Sequence, residues 1–272
     1  MSEDLKTAAA FANSWNHLQL GSVYTREQFE DWFRPLTQKD AEGKEVLELG
    51  CGNGSLLIHL LEWHPQKAVG IDLGDAVLSA KKNLSLSPCS NWEVIQEDLV
   101  SFQSRGFDLV YCIGVLHHLK SPKKGLEAVI RNVRPGGRFH CWVYAKEGNG
   151  IIRCFVEPIR KISSRLPWWF TKYFLATPLV MPYYVYAKCL SVLKTDRKLG
   201  KLPLYDYSLW IGKREFKFFR HVAFDQLVTP QTTYIDRDTI ISWLRNFREI
   251  DPDSTYVIMR NGNSWKFGGK LK

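Results

Sequence analysis

Two consecutive histidines, His117 and His118, close an apolar run that begins at Phe107. A histidine near neutrality can take a proton from a phenol or an amine. Upstream, the stretch from Glu45 to Leu57 reads as a short buried strand that runs into Gly50, Gly52 and Gly54 and then into a helix. Glycine at those positions lets the backbone take positive φ and approach a ligand closely. The helix that follows would turn unpaired N–H groups toward it. This layout suits a nucleotide-like ligand. About 20 residues on, the run from Ala68 to Ile71 ends in Asp72, where a carboxylate can take ribose hydroxyls. Asp98 lies in the next polar break, Gln96-Glu97-Asp98-Leu99. Plainer readings stand beside these: an ordinary glycine turn, a helix cap at Asp72, a solvated turn at Asp98.

In order and spacing these segments resemble the class I S-adenosylmethionine (SAM)-dependent methyltransferases, of the small-molecule type with Gly114-Val115-Leu116-His117-His118-Leu119 after the fourth strand. Arg134-Pro135-Gly136-Gly137-Arg138-Phe139 is similar to that family's loop before the fifth strand. The resemblance covers residues 44 to 145 and speaks to cofactor and fold. It implies SAM as cofactor, with Gly50, Gly52 and Gly54 under the methionine part and Glu48 near the amino group. Asp72 and the adjoining Leu73 would serve the ribose, Asp98 the adenine amine, Leu99 the ring, and Ile113 the amino-acid end. The expected fold is α/β and Rossmann-like, a mostly parallel seven-stranded sheet flanked by helices.

Alternating apolar runs and helical patterns over residues 44–145 argue independently for a parallel sheet with helices on both faces. Residues 1–43 read as a helical cap whose aromatic residues include Trp15 and Tyr24, candidate walls of a substrate pocket or ordinary packing. Residues 235–272 should complete the core: an amphipathic helix from Asp236 to Phe247, then a closing strand at Tyr256–Met259.

Residues 146–234 depart from this pattern. The chain carries +9 overall, yet residues 146–220 alone hold 15 Lys or Arg against 5 Asp or Glu, and 15 of the 36 aromatic residues. They read as an inserted helical, aromatic and basic lid. Between Lys172 and Lys188 lie only 15 uncharged residues, broken by Pro178 and Pro182, short of the ~20 that span a bilayer. Three roles fit such a segment: covering a hydrophobic or anionic substrate, resting in a membrane interface through residues 166–193, or gripping nucleic acid. Amine methylation of nucleobases typically uses an Asn or Asp-Pro-Pro-Tyr element after the fourth strand. Cys112-Ile113-Gly114-Val115 stands there instead, which lowers the nucleic-acid reading.

Methyl transfer from a sulfonium asks for in-line positioning, exclusion of water and, for most acceptors, one base. His117 leads as that base and His118 follows. Tyr144, near the end of the fifth strand, is a better pocket candidate than His140. The polar stretch from Arg220 to Tyr234 lacks helical periodicity and reads as a loop that returns to the site or stays on the surface, adding His221, Asp225 and Tyr234. Six cysteines without C-x-x-C spacing read as buried thiols in a reducing compartment, and the charged start lacks an apolar leader. Both point to the cytoplasm or the inner membrane face. No metal motif is apparent. The expected activity is methylation, oxygen first, of a small or medium-sized apolar or aromatic acceptor. The readings from other classes are a lipid or quinone methyltransferase at a membrane, an RNA methyltransferase, and a SAM-binding module without chemistry.

Overall fold

The computed structural model describes residues 3–15, 20–104, 106–193, 202 and 204–272, which divide into two compact units. The first holds Met1–Tyr144, Gln231–Ile258 and Trp265–Lys272. Its centre is a seven-stranded sheet of β1 (Glu45–Leu49), β2 (Lys67–Asp72), β3 (Trp92–Gln96), β4 (Phe107–Ile113), β5 (Val133–Tyr144), β6 (Tyr256–Arg260) and β7 (Ser264–Lys270). The strand order is β3-β2-β1-β4-β5-β7-β6, and the five strands β3, β2, β1, β4 and β5 are parallel to one another. Strands buried on both faces must be apolar throughout. Accordingly Val46, Leu47, Leu49, Leu109, Val110 and Cys112 are all buried. The order reverses between β1 and β4, and in such sheets ligands bind beyond the carboxyl ends at that switch.

Helices α1 (Glu3–Trp15), α2 (Arg26–Phe33), α3 (Ser55–Leu61), α4 (Ala76–Leu84) and α5 (Pro122–Arg131) belong to this unit. Local chemistry starts them. Thr25 and Gln28 form a reciprocal capping box on α2, and Ser121 accepts the Lys124 N–H with Pro122 in the first turn of α5. Phe29 and Phe33 of α2 are fully buried, and the Phe33 ring meets Tyr111 at 4.8 Å. α1 packs at the Gly74 turn after β2, where a side chain would meet the Ala8 carbonyl and the Ala12 methyl. At its start, Asp4 accepts the Lys120 N–H at 2.8 Å.

The second unit holds Ala145–Pro230 and Met259–Ser264. It contains α6 (Gly150–Ser163), α7 (Trp168–Phe170), a wide helical turn at Thr171–Ala176, α8 (Thr177–Leu193), α9 (Tyr205–Gly212) and α10 (Phe216–Val228). The wide turn comes just before Pro178, whose ring and missing N–H disfavour ordinary α-geometry. The Thr177 hydroxyl supplies a bond to the Lys172 carbonyl there, at 2.9 Å. Arg160 is buried and donates to the carbonyl and side-chain oxygen of Gln226, at 2.7 and 2.8 Å.

Two sequence expectations change, for Arg220–Val228 and for the cysteines. Arg220–Val228 is helical, part of α10, because Phe219, Phe224, Leu227 and Val228 bury an apolar stripe that the interleaved polar residues conceal in the sequence. β7, which brings the sheet to the expected seven strands, stands between β5 and β6, its Gly268 and Gly269 close against Phe139 of β5. Cys154 and Cys189 are exposed and Cys89 is half-buried, so only Cys51, Cys112 and Cys141 are buried thiols. The helix near the carboxyl terminus, α11 (Arg237–Asn246), begins at Asp236, which accepts the Thr239 N–H at 2.8 Å. Gln231–Tyr234 packs with the sheet unit, while the insertion also takes in Met259–Ser264.

Candidate active site at the switch point of the sheet

β1 stops at Leu49 and the chain enters left-handed backbone at Gly50, Gly52 and Gly54, with φ of 84°, 53° and 76°. A Cβ at Gly50 would strike the side chain of Val115, in the loop after β4, so the two switch-point loops touch at this glycine. At Gly52 a Cβ would meet nothing within 4 Å, and the space above that residue is open. Asp72, at the end of β2, fastens the loop: Oδ2 accepts the Gly52 N–H at 2.9 Å and Oδ1 accepts the Gly74 N–H at 2.8 Å. Each oxygen keeps a lone pair for another donor, which fits a vicinal diol. Burial raises the Asp72 carboxyl above the usual range, against the backbone N–H groups of Gly74, Gly52 and Leu73, which favour its anion. Asp72 is therefore a loop clamp and not a helix cap.

Glu48 is buried and accepts the Tyr111 hydroxyl at 3.0 Å. The strand register causes this, since Glu48 of β1 lies directly beside Tyr111 of β4. Burial pushes its carboxyl up to about 8, opposed by the Tyr111 hydrogen bond. The start of α3 is less open than expected: Asn53 Oδ1 accepts both the N–H and the hydroxyl of Ser55, at 3.2 and 2.7 Å. Asn83 of α4 completes this network, donating to the Asn53 carbonyl at 2.9 Å and accepting the Gly21 N–H at 2.9 Å. Sequence reasoning missed Asn83, because nothing local marks a helix-interior Asn as a partner of a loop 30 residues earlier.

Beyond β3, Asp98 Oδ1 accepts the Val100 N–H at 2.8 Å, so one carboxylate oxygen shapes a turn. Leu99 and Ile113 are buried, and Leu73 is half-buried at the end of β2. Gln96 reaches the Leu73 carbonyl at 3.4 Å.

At the carboxyl ends of β4 and β5 stands a cluster of rings. The His117 ring lies 4.1 Å from His118 and 4.2 Å from Tyr144, with Trp142 at 5.8 Å. Trp142 and Tyr144 share one face of β5, as alternation requires. Tyr234 stacks on Tyr144 at 6.0 Å, and Phe11 of α1 lies 5.0 Å from His118. From Trp142 the chain of rings continues to Trp32 at 6.2 Å and on to Tyr24 at 4.6 Å. The segment before Tyr234 runs beside the histidines: Thr233 donates its N–H to the His117 carbonyl at 2.7 Å. His118 Nδ1 lies 3.0 Å from the Gln231 carbonyl. A carbonyl only accepts, so Nδ1 carries the proton and the lone pair of a neutral ring is on Nε2.

His140 is a satisfied core residue, bonded to the Trp32 carbonyl at 2.8 Å and the Tyr256 hydroxyl at 2.6 Å, and burial holds its imidazole down at about 4. His221 lies on α10 in the helical unit, where Nε2 faces Asp225 Oδ2 at 3.2 Å, one turn along. Trp15 ends α1, and its side chain is outside the described residues. Among the described residues no group of three or more His, Cys, Asp or Glu is arranged to hold a metal ion. No helix among them is long and apolar enough to cross a membrane.

Residues 47–139 match the family model of a methyltransferase domain. A tRNA U34 carboxymethyltransferase of Helicobacter pylori is 38% identical over 101 residues, 35% of this chain and 38% of that protein. The enzyme of the same name from Idiomarina loihiensis is 32% identical over 117 residues, 40% of this chain and 36% of that protein. The chain thus spans little more than a third of the length of these relatives. Among solved structures, magnesium protoporphyrin IX methyltransferase from Synechocystis with bound SAM superimposes with a TM-score of 0.56, covering 100% of this chain and 98% of that chain at 12% identity. An O-methyltransferase family protein from Burkholderia thailandensis gives 0.53, covering 91% and 56% at 13% identity. The strand order with its reversal between β1 and β4, the glycine loop clamped by Asp72 and these matches agree: the chain carries a methyltransferase domain on the Rossmann-like fold of the class I SAM-dependent methyltransferases.

Proposed function

We propose that the protein binds SAM over Gly50–Gly54 and moves its methyl group to a small or medium-sized apolar or aromatic acceptor, an oxygen atom first. The observation that carries this reading is the ring cluster of His117, His118, Trp142, Tyr144 and Tyr234 at the carboxyl ends of β4 and β5. Those rings offer an acceptor flat apolar walls with a base among them. The open space at Gly52 and the remaining lone pairs of Asp72 fit SAM, with Asp98, Leu99 and Ile113 as its further contacts. When bound, SAM supplies an already activated methyl group. The chain's work is to align the acceptor, keep water out and hold a proton. His118, its Nδ1 oriented by Gln231, takes the hydroxyl proton on Nε2 as the acceptor oxygen gains the methyl. His117 packs between His118 and Tyr144 and positions both rings.

A second reading, RNA as acceptor, is favoured by the names of the curated relatives and by the basic insertion. One experiment separates them. The purified chain is incubated with methyl-labelled SAM and separate fractions of cell extract. Label in small molecules or lipids supports the apolar acceptor, and label in RNA moves the second reading to first place. No label in any fraction, with SAM binding measurable by calorimetry, leaves a SAM-binding module without transfer and refutes both.

A further inference from the structure

We propose that the helical unit is a docking surface for an anionic lipid bilayer, formed by the outward face of α8 and the turn that leads into it. One side of this segment is buried in the unit through Ala176, Val180, Ala187 and Leu190. The other side exposes Phe174, Pro178, Met181, Pro182 and Val185 at helical spacing, with Phe174, Met181 and Val185 at 61%, 47% and 55% exposure. From Tyr173 to Ala187 there is no charged side chain on either side. A helix whose outer face meets water carries polar residues there, and one that is apolar all round calls for a second apolar neighbour.

What that neighbour is follows from the charge around the patch. Lys161 and Arg165 are exposed at the end of α6, and Lys172 and Lys188 bracket the apolar face. A second copy would bring two strongly basic surfaces together. Single-stranded nucleic acid stacks on aromatic rings interleaved with basic residues, whereas four of the five residues of this face, Pro178, Met181, Pro182 and Val185, offer neither stacking nor hydrogen bonds, with Phe174 as the fifth. An anionic bilayer meets both features, taking the apolar face into its acyl boundary and the lysines and arginines at its headgroups. Trp169 and Tyr173, each about half exposed, stand at the amino-terminal end of the patch, and such rings settle at headgroup depth. With no helix among the described residues long and apolar enough to cross, the contact lies in the plane of the interface. The docking is independent of the methyl-transfer reading.

The test is sedimentation of the full chain with phosphatidylcholine vesicles, with and without about 30 per cent phosphatidylserine. The chain should pellet with the mixed vesicles and at least tenfold less with phosphatidylcholine alone, since each basic residue at the surface is worth about fivefold. The double variant Met181→Asp, Val185→Asp changes only exposed side chains. It should keep its circular dichroism spectrum and lose at least tenfold in partitioning. Reversal of Lys161 and Arg165 to Glu should remove most of the preference for the anionic vesicles. The proposal is overturned if mixed vesicles bind no better than neutral ones or if the aspartate pair leaves partitioning unchanged. It is also overturned if light scattering finds a dimer that the aspartate pair dissolves. Single-stranded RNA that binds the chain and displaces it from vesicles would assign the surface to nucleic acid instead.

Discussion

Replacing Asp72 tests the proposed ligand site most directly, because its two oxygens already have structural work. Each accepts one backbone N–H, from Gly52 and from Gly74, so a bound ribose would add two hydroxyl donors to the remaining lone pairs. Losing charge-assisted bonds of that kind costs roughly 1.5 to 3 kcal/mol, and Asp72→Ala should weaken SAM binding about 10- to 150-fold by calorimetry. The substitution also releases the Gly52 loop, so a drop in affinity alone does not identify the contact. A second ligand separates the two effects. S-adenosylhomocysteine lacking the ribose 2′-hydroxyl should bind the wild-type chain about tenfold more weakly than the intact compound, a loss that should nearly vanish in Asp72→Ala. Equal losses in both proteins would mean that Asp72 holds the loop and not the ligand, and unchanged affinity in Asp72→Ala would refute the placement altogether.

Gly50→Ala should cost roughly 1 to 3 kcal/mol of stability, from a left-handed φ combined with a clash on Val115. Adding Val115→Ala should recover part of it in urea melts; full tolerance of the single change would show that the two loops do not touch. Glu48 has a folded-state pKa of about 8, raised above its ordinary value of 4.5, so the folded chain holds a proton that the unfolded chain releases between those values. Its contribution to stability is complete below about pH 4.5 and lost as pH rises through 8, and Glu48→Gln should gain on the wild type in melting temperature across that window. A constant difference between the two across that range would count against the buried carboxyl. His118→Ala should lower the rate of methyl transfer by about 10²- to 10⁴-fold with SAM affinity retained. His117→Phe should cost far less in rate than His118→Ala; the reverse pattern would make His117 the base.

What could be read from the chain alone was local. The positive φ at Gly50 and Gly52, the apolar runs that form β1, β2 and β4, the helix beginning at Asp236 and the acid closing β2 are each decided within a few residues, where glycine sterics, apolar periodicity and strand burial leave few choices. For the same reason the run of motifs was enough to expect the fold. Tertiary structure decided whatever joins distant residues. The proton on His118 is assigned by a carbonyl 113 residues away, and Asn83 acts as a loop partner only because α4 lies beside α3. β7 carries two glycines and needed the edge of β5 to become a strand, and α10 needed apolar neighbours to make its interleaved sequence helical. The ring cluster draws Tyr24, Trp32, Trp142, Tyr144 and Tyr234 from three parts of the chain. Each of these rings could equally have packed in a core, and only long-range packing gathers them where parallel strands end, since register and burial depend on the whole sheet and no short stretch contains them.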